Sequence, residues 1–532
     1  MNRLFALYAT GVCRVMSAYP ADRLVAPLRD VWLPGAASSG PAATSGRIAI
    51  QAVEDPLYFG LFGVIAAEMR RLEGLAVDAV VIRAASGAIG IGFVAWLRRS
   101  LPVTWLMTTQ WVRALAPLVD RVGLRLESWT HPLADRLDAW RSRRVWQRAC
   151  QQNGDFALEI DGVPVGDLII DSFLRFRPAP CFDVYDPFVL TLIRQAHRAI
   201  RRARRYFRDH PPRLYLSSYT TYVEHGVPVR VALQEGVPVY SFGSLNRFEK
   251  RLSLTDWHHT ANCEGYGEIF ASLDRKDERR AEAAAQLERR LSGGIDAATS
   301  YMRVSAYAGG ATLPEGLAGA VVIFLHDFYD SPHIFYDLVF PDFWHWAAFT
   351  IETLERAGIL YFVKPHPNQV SLSSSSLDEL QAAYPKLRLL PVKATNAQLA
   401  EAGIACGVTV YGTVAHELAY LGIPSIGCAR HPHSSFRFCR TARSVADYKA
   451  LLLESTRLPV DRQAMRREAL EFYYMHNLYG SADDLELRQL FVTLWKACHD
   501  SSASIRDVQS ALAALRDSPA LVRRVSSIME SL

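Results

Sequence analysis

The chain has 532 residues, too many for one compact core, so two or three domains are expected. Half of the residues are hydrophobic and 21% are charged, with a net charge of +5. That is an ordinary globular mixture; it excludes a disordered chain and lacks the strong basic bias of a nucleic-acid-binding protein.

The eight cysteines are scattered without C-x-x-C spacing, which points to neither a zinc site nor a disulfide framework and fits a reduced, cytosolic setting. Arg14 and Asp22 interrupt any apolar core of a signal peptide. No uncharged apolar run reaches about 18 residues, so no transmembrane helix is expected.

Residues 1–33 are mildly apolar and predict helix, and Pro34–Ser45, rich in Ala, Ser, Gly and Pro, reads as a link. Arg47–Val53 is the first predicted strand. Asp55-Pro56 is a helix start with Pro at the first position, and Ala76–Ile82 is a second strand. This β-α-β order is how a Rossmann-like half begins, although no G-x-G-x-x-G follows the first strand. Gly87–Trp111 carries Phe93, Trp96, Trp105 and Trp111 among Arg98, Arg99 and Arg113. It reads as buried helices or, alternatively, as a membrane-facing patch with Trp and Arg at headgroup level.

Phe156–Gly162 predicts a strand and turn, after which Asp171, Arg175 and Arg177 lie close in sequence. Phe188–Phe207 is a clear amphipathic helix, started by Asp186-Pro187. Its polar face holds Arg194, Arg198, Arg201, Arg202, Arg204 and Arg205, followed by Arg208: a solvated basic face, or a surface for an anionic membrane or glycan. Arg213–Ser217, Gly226–Glu235 and Val237–Phe242 predict a second β-α-β. Asp274–Arg290 is a helix of mixed charge, expected at the surface, and the small-residue run Leu291–Ala318 reads as an interdomain region.

A second strand-helix series runs from Val321 to Arg440. Val321–Leu325 ends in His326-Asp327-Phe328, and Tyr361-Phe362-Val363 ends in Lys364-Pro365-His366-Pro367. Gly403–Tyr411 runs into Gly412-Thr413-Val414-Ala415-His416-Glu417, followed by Leu421-Gly422-Ile423-Pro424. Each strand stops in polar, Gly or Pro residues, where an open parallel sheet binds ligands. The two prolines fix the backbone around His366. The Gly412 loop enters a helix whose free amides favour an anion, with the Thr413 hydroxyl beside them and Glu417 one turn in, within reach of ribose hydroxyls. Each of these residues alone also reads as an ordinary cap or turn residue. No D-x-D stands at a strand end, so the expected site is metal-free, with Lys364, His366, Arg430 and the Gly412 helix start meeting phosphate. Asp327, with Asp330 as competitor, is the expected carboxylate, and Asp171 and Glu224 are candidates for base duty or acceptor binding.

The His366-Pro367 pair, Gly412–Glu417 and Leu421–Pro424 resemble the bacterial capsule and surface-polysaccharide glycosyltransferases that include the Kdo transferases. His326–His333, Gly166-Asp167-Leu168-Ile169 and Glu224-His225-Gly226 are similar to segments of related surface-carbohydrate proteins. The likeness spans roughly residues 160–452. It implies an α/β, GT-B-like fold of two Rossmann-like domains facing a cleft. The boundaries are then residues 1–45 (helical segment and link), 46–318 (acceptor domain), 319–452 (nucleotide-sugar donor domain) and 453–532 (C-terminal helices, which in such folds often return to the first domain).

The implied activity is transfer from a CMP-Kdo-like or UDP-sugar donor to capsule, O-antigen or lipopolysaccharide, with no cofactor beyond the co-substrate. Donor contacts fall to Lys364, His366, Pro367, Gly412, Thr413, Glu417 and Arg430, acceptor contacts to His225 and Arg175. The acceptor is a glycan or lipid-linked chain, with peripheral contact to the inner face of an anionic cytoplasmic membrane. Alternatives are a CDP-glycerol-type glycerophosphotransferase, a nucleotide-sugar 2-epimerase, and a non-catalytic glycan-binding homologue.

Overall fold

The structure, a computed structural model, describes residues 2–17, 21–32, 46–82, 93–126, 132–152, 156–177, 179–261, 263–302, 305, 309–367, 372–500 and 502–532. The predicted link Pro34–Ser45 and the start of the aromatic stretch, residues 87–92, lie outside them. The chain forms two compact units. The first comprises residues 1–178, 183–259 and 481–532; the second comprises 179–182 and 260–480.

In the first unit the strands are β1 Arg47–Ala52, β2 Ala76–Val81, β3 Arg121–Arg125, the hairpin β4 Glu159–Ile160 with β5 Val163–Pro164, β6 Leu214–Ser217, β7 Val239–Phe242 and β8 Glu249–Arg251. Its main sheet has the order β3-β2-β1-β6-β7-β8, parallel except for β8. All of β2 and nearly all of β1 are buried, as continuous apolar strands covered on both faces must be. Asp55 caps the Pro56–Glu73 helix by accepting from the Leu57 N–H at 2.9 Å, and Gly74 closes it at φ 65°. The helices Ala482–His499, Ile505–Arg516 and Pro519–Glu530 pack on that helix. Gly60 there lies against Leu512 and Gly63 against Trp32, so closely that a Cβ at either would collide.

The second unit holds β9 Val321–Phe324, β10 Tyr361–Lys364, β11 Cys406–Val408, β12 Ser425–Gly427 and β13 Cys439–Thr441. They form one wholly parallel sheet in the order β10-β9-β11-β12-β13. Both units are therefore Rossmann-like, and the protein is α/β with two parallel-sheet domains. The compact units divide the chain elsewhere than composition did. Phe270, Ala283 and Leu287 share a core with Tyr420, Phe472 and Tyr473, so residues 260–318 pack with the second unit. The Lys276–Leu291 helix accordingly buries one face, Arg290 included, instead of lying wholly in solvent. Among the described residues no helix is long and apolar enough to cross a membrane.

Candidate active site

In the second unit β9 lies between β10 and β11, so the chain leaves β9 to one side and later returns to the other. That is the topological switch point, and its crevice opens at the carboxyl ends of β9 and β11. His326 follows β9 there. Its Nε2 is 3.1 Å from the Thr409 Oγ1 and 3.4 Å from the Val410 N–H that donates to it, so Nδ1 carries the proton. The ring stacks on Phe343 at 4.5 Å and meets Tyr411 at 4.8 Å. Burial, with a smaller push from the neighbouring His366, drives its pKa down to about 3, so His326 is neutral at physiological pH.

Lys364 ends β10, is buried, and has its pKa lowered by desolvation against the opposing pull of Glu417. His366 beyond it is half-buried and Pro367 exposed. The Thr409 hydroxyl accepts from the Gly412 N–H at 3.2 Å, and a Cβ on Gly412 would stand 2.7 Å from that oxygen. Only glycine permits this turn, which delivers exposed Thr413 to the start of the Val414–Tyr420 helix.

Two donor residues are placed otherwise than the sequence predicts. Glu417 is fully buried, its carboxylate held by Arg290 at 3.0 Å and by Asn396 at 2.6 Å. It braces the helix from beneath and is sealed off from any ribose. Arg430 is ion-paired to Asp337 at 2.7 Å and Glu264 at 2.9 Å, so its charge is already matched. Of the two carboxylates after β9, buried Asp327 accepts from the Tyr329 N–H at 3.0 Å as a turn former. Asp330 is exposed and accepts from the Ser331 N–H at 2.9 Å.

The first unit has its own switch point between β1 and β6. Gln51 of β1 accepts from the Ser218 N–H at 3.0 Å, tying the two strand ends. Beyond β6, Tyr222 takes φ 63°, a left-handed conformation that costs a β-carbon residue about 1–2 kcal/mol. It opens the helix bearing buried Glu224 and His225. The ring of Tyr219 lies 6.2 Å from His225 and 5.4 Å from His259. The Thr220 Oγ1 accepts from the His259 backbone N–H at 3.0 Å and sits 3.2 Å from its Nδ1. Burial pushes both imidazoles down to about 4, aided at His225 by His259 and at His259 by Lys250.

After β1 stands Glu54, whose carboxyl is pushed up to about 9 by burial, against the pull of Arg98 and with a further push from Asp55. Asp171 is buried and Arg175 half-buried on the Gly166–Phe176 helix. That helix is joined to the Glu224 helix by the Val223 N–H donating to the Ser172 Oγ at 2.9 Å. Asp171, Glu224 and His225 thus belong to packed neighbouring helices. Glu54, His259 and the role of His326 escaped the sequence reading. The available signal for Glu54 and His326 was their place directly after an apolar strand.

The basic helix, Pro187–Asp209, is largely engaged within the fold. Arg201 pairs with Asp135 at 3.0 Å and Asp138 at 2.8 Å, Arg198 with Asp135 at 3.4 Å, and Arg208 with Glu235 at 3.0 Å. Arg202 donates to the Leu126 carbonyl and Arg204 to the Asp161 carbonyl. Most of the cations expected to meet a membrane or glycan are matched inside the fold. In the aromatic stretch, Trp111 is fully buried while Phe93, Trp96, Leu101 and Trp105 are each about half exposed.

No family model matches the chain, and no curated protein matches it. Some solved structures show a distant likeness. A crystal structure of Methanocaldococcus jannaschii UDP-GlcNAc 2-epimerase in complex with UDP-GlcNAc and UDP is 10% identical, with 52% of this chain and 79% of that one covered and a TM-score of 0.24. The glycotransferase of kitacinnamycin is 13% identical, with 92% and 99% covered and a TM-score of 0.23. A UDP-N-acetylglucosamine 2-epimerase is 10% identical, with 87% and 99% covered and a TM-score of 0.20. Similarity this slight says nothing of chemistry. The class of the protein rests on the strand order of its two sheets, a pair of Rossmann-like domains such as GT-B enzymes are built from.

Proposed function

We propose that the protein is a glycosyltransferase that moves a sugar from a nucleotide-sugar donor to a growing surface polysaccharide. The observation that carries this reading is the convergence of His326, Lys364, His366 and the Gly412 turn on the switch point of the second parallel sheet. A nucleotide diphosphate or monophosphate leaving group needs charge and hydrogen-bond donors fixed before the bond breaks. Lys364 supplies the charge, and the imidazole of His366 supplies a donor on a backbone stiffened by Pro365 and Pro367. Thr413 adds a hydroxyl at the same turn. Asp330, exposed after β9, is the better placed of the two carboxylates to meet the reacting sugar, and Asp327 shapes its loop.

The acceptor is assigned to the first unit, where Glu224, His225 and Asp171 lie on packed helices and Arg175 follows one turn on. Glu54 joins them as an acid-base group poised above neutrality. Peripheral contact with an anionic membrane remains part of the proposal, with its support now in the exposed Phe93, Trp96, Leu101 and Trp105 rather than in the arginine helix.

The test is calorimetric titration of CMP, CDP and UDP into the wild type and His366→Ala. One nucleotide should bind the wild type, and at least about tenfold more weakly the variant, a loss of roughly 1.4 kcal/mol. Absence of binding by all three would leave a non-catalytic glycan-binding protein. With a bound nucleotide, a product that gains glycerol phosphate rather than a sugar would make the protein a glycerophosphotransferase.

A further inference from the structure

At the far end of the second sheet from β10, the loop after β12 carries His431 and His433, and β13 opens with Cys439, paired in register with Ser425 of β12. His433 is fully buried, His431 and Cys439 nearly so. One ligand atom from each residue falls within 4.8 Å of the other two. We propose that these three residues bind a zinc-type divalent cation, a site independent of the transfer chemistry above.

Three observations support it. First, both ring nitrogens of His433 and the Nδ1 of His431 are buried with no hydrogen-bond partner. Buried polar groups are nearly always satisfied, and a metal ion satisfies imidazole lone pairs that no protein group here reaches. Second, the Nε2 of His431 lies 2.5 Å from the Thr441 Oγ1, which fixes the ring and leaves Nδ1 to ligate, the outer-shell arrangement common at metal sites. Third, Gly427 at the end of β12 keeps the space clear. A Cβ there would stand 3.3 Å from the Cys439 Sγ and 3.5 Å from His431 Cδ2, and its backbone does not need glycine for a positive φ.

The set is one thiol and two imidazoles, a composition that suits Zn²⁺. Zinc bonds of about 2.0–2.3 Å place tetrahedral ligands about 3.5 Å apart. The His431 and His433 rings stack with centroids 3.6 Å apart and 28° between their planes, so one ring must turn for both lone pairs to meet the ion. The thiol gives up its proton on binding. The fourth position falls to water.

The full-length protein, expressed with zinc and dialysed, is expected to retain equimolar zinc by elemental analysis. Loaded with Co²⁺ instead, it should show a thiolate-to-cobalt charge-transfer band. Cys439→Ser should abolish the band. Thr441→Val, which removes only the hydroxyl that holds His431, should weaken metal affinity about 10–100-fold. If Cys439→Ser fails to fold, the wild-type cobalt spectrum decides alone. A wild type that holds no zinc and gives no thiolate band, or a folded Cys439→Ser with the band intact, overturns the proposal. Loss of nucleotide binding with zinc retained would instead count against the transfer reading only.

Discussion

Glu54→Gln isolates the most perturbed carboxyl of the first unit. The folded chain raises Glu54 from 4.5 to about 9, chiefly by burial. The unfolded chain releases this proton above about pH 4.5, whereas the folded chain keeps it until about pH 9. Between those limits the folded state binds more protons, so this group's contribution to stability is full below the unfolded pKa and is lost as pH rises through the folded one. Each pH unit is worth about 1.4 kcal/mol, which from pH 6 to 8 amounts to about 2.7 kcal/mol. Glu54 is not fully shielded from water, so about 2 kcal/mol is the expected change. Gln mimics the neutral acid and cannot ionise, so the variant should lack this pH dependence. The assay is urea unfolding of both proteins at pH 6, 7 and 8, followed by tryptophan fluorescence. Midpoints that shift in parallel across the three pH values would show that Glu54 ionises normally, and its assignment as an acid-base group poised above neutrality would fall with that result.

Glu417→Gln should destabilise the second unit by about 3 kcal/mol, because it leaves the Arg290 charge buried without its carboxylate. A stable variant that merely binds nucleotide less well would return Glu417 to the donor site. Arg201→Glu should cost about 2–3 kcal/mol by urea denaturation, since it replaces two ion pairs with repulsion from Asp135 and Asp138; an unchanged midpoint would mean that this helix is a freely solvated face. Trp96→Ser with Trp105→Ser should reduce sedimentation with anionic vesicles while leaving activity on a water-soluble acceptor unchanged. A wild type that never sediments at low salt removes membrane contact from the proposal.

Alternating apolar strands and capped helices made the two parallel sheets legible. Asp55-Pro56 and Asp186-Pro187 each announce a helix, and both aspartates accept from the amide two residues on, at 2.9 and 2.8 Å. The His366 loop and the Gly412 turn were legible for the same reason, since Pro and Gly punctuate the backbone locally. What stayed hidden depends on partners far along the chain. Arg201 reads as a surface cation until the helix holding Asp135 and Asp138 packs beside it. Glu417 reads as a helix residue free for ribose until Arg290 and Asn396 are folded onto it. Cys439 carries no C-x-x-C signal, and only the pairing of β12 with β13 sets it near His431 and His433. The Ala482–Glu530 helices were expected on the first domain from the resemblance alone, and the residues that seat them there, Leu512 against Gly60, emerge only from the packing.

The buried histidines at the two switch points share a property that bears on mechanism. His225, His259 and His326 are held at about 4, 4 and 3, in each case mainly by burial. None of the three changes charge across the neutral range, so none acts there as a titrating cation for phosphate. Each is instead a neutral ring with one N–H to give and one lone pair to take, and at His326 the Val410 amide fixes which nitrogen does which. A neutral donor aimed at a phosphate oxygen gains strength as negative charge develops there, without the heavy cost of holding an imidazolium in a buried site. In the transfer reaction proposed here, positive charge at the second sheet then falls to Lys364 rather than to His326, whereas in the first unit burial pushes the Glu54 carboxyl up to about 9.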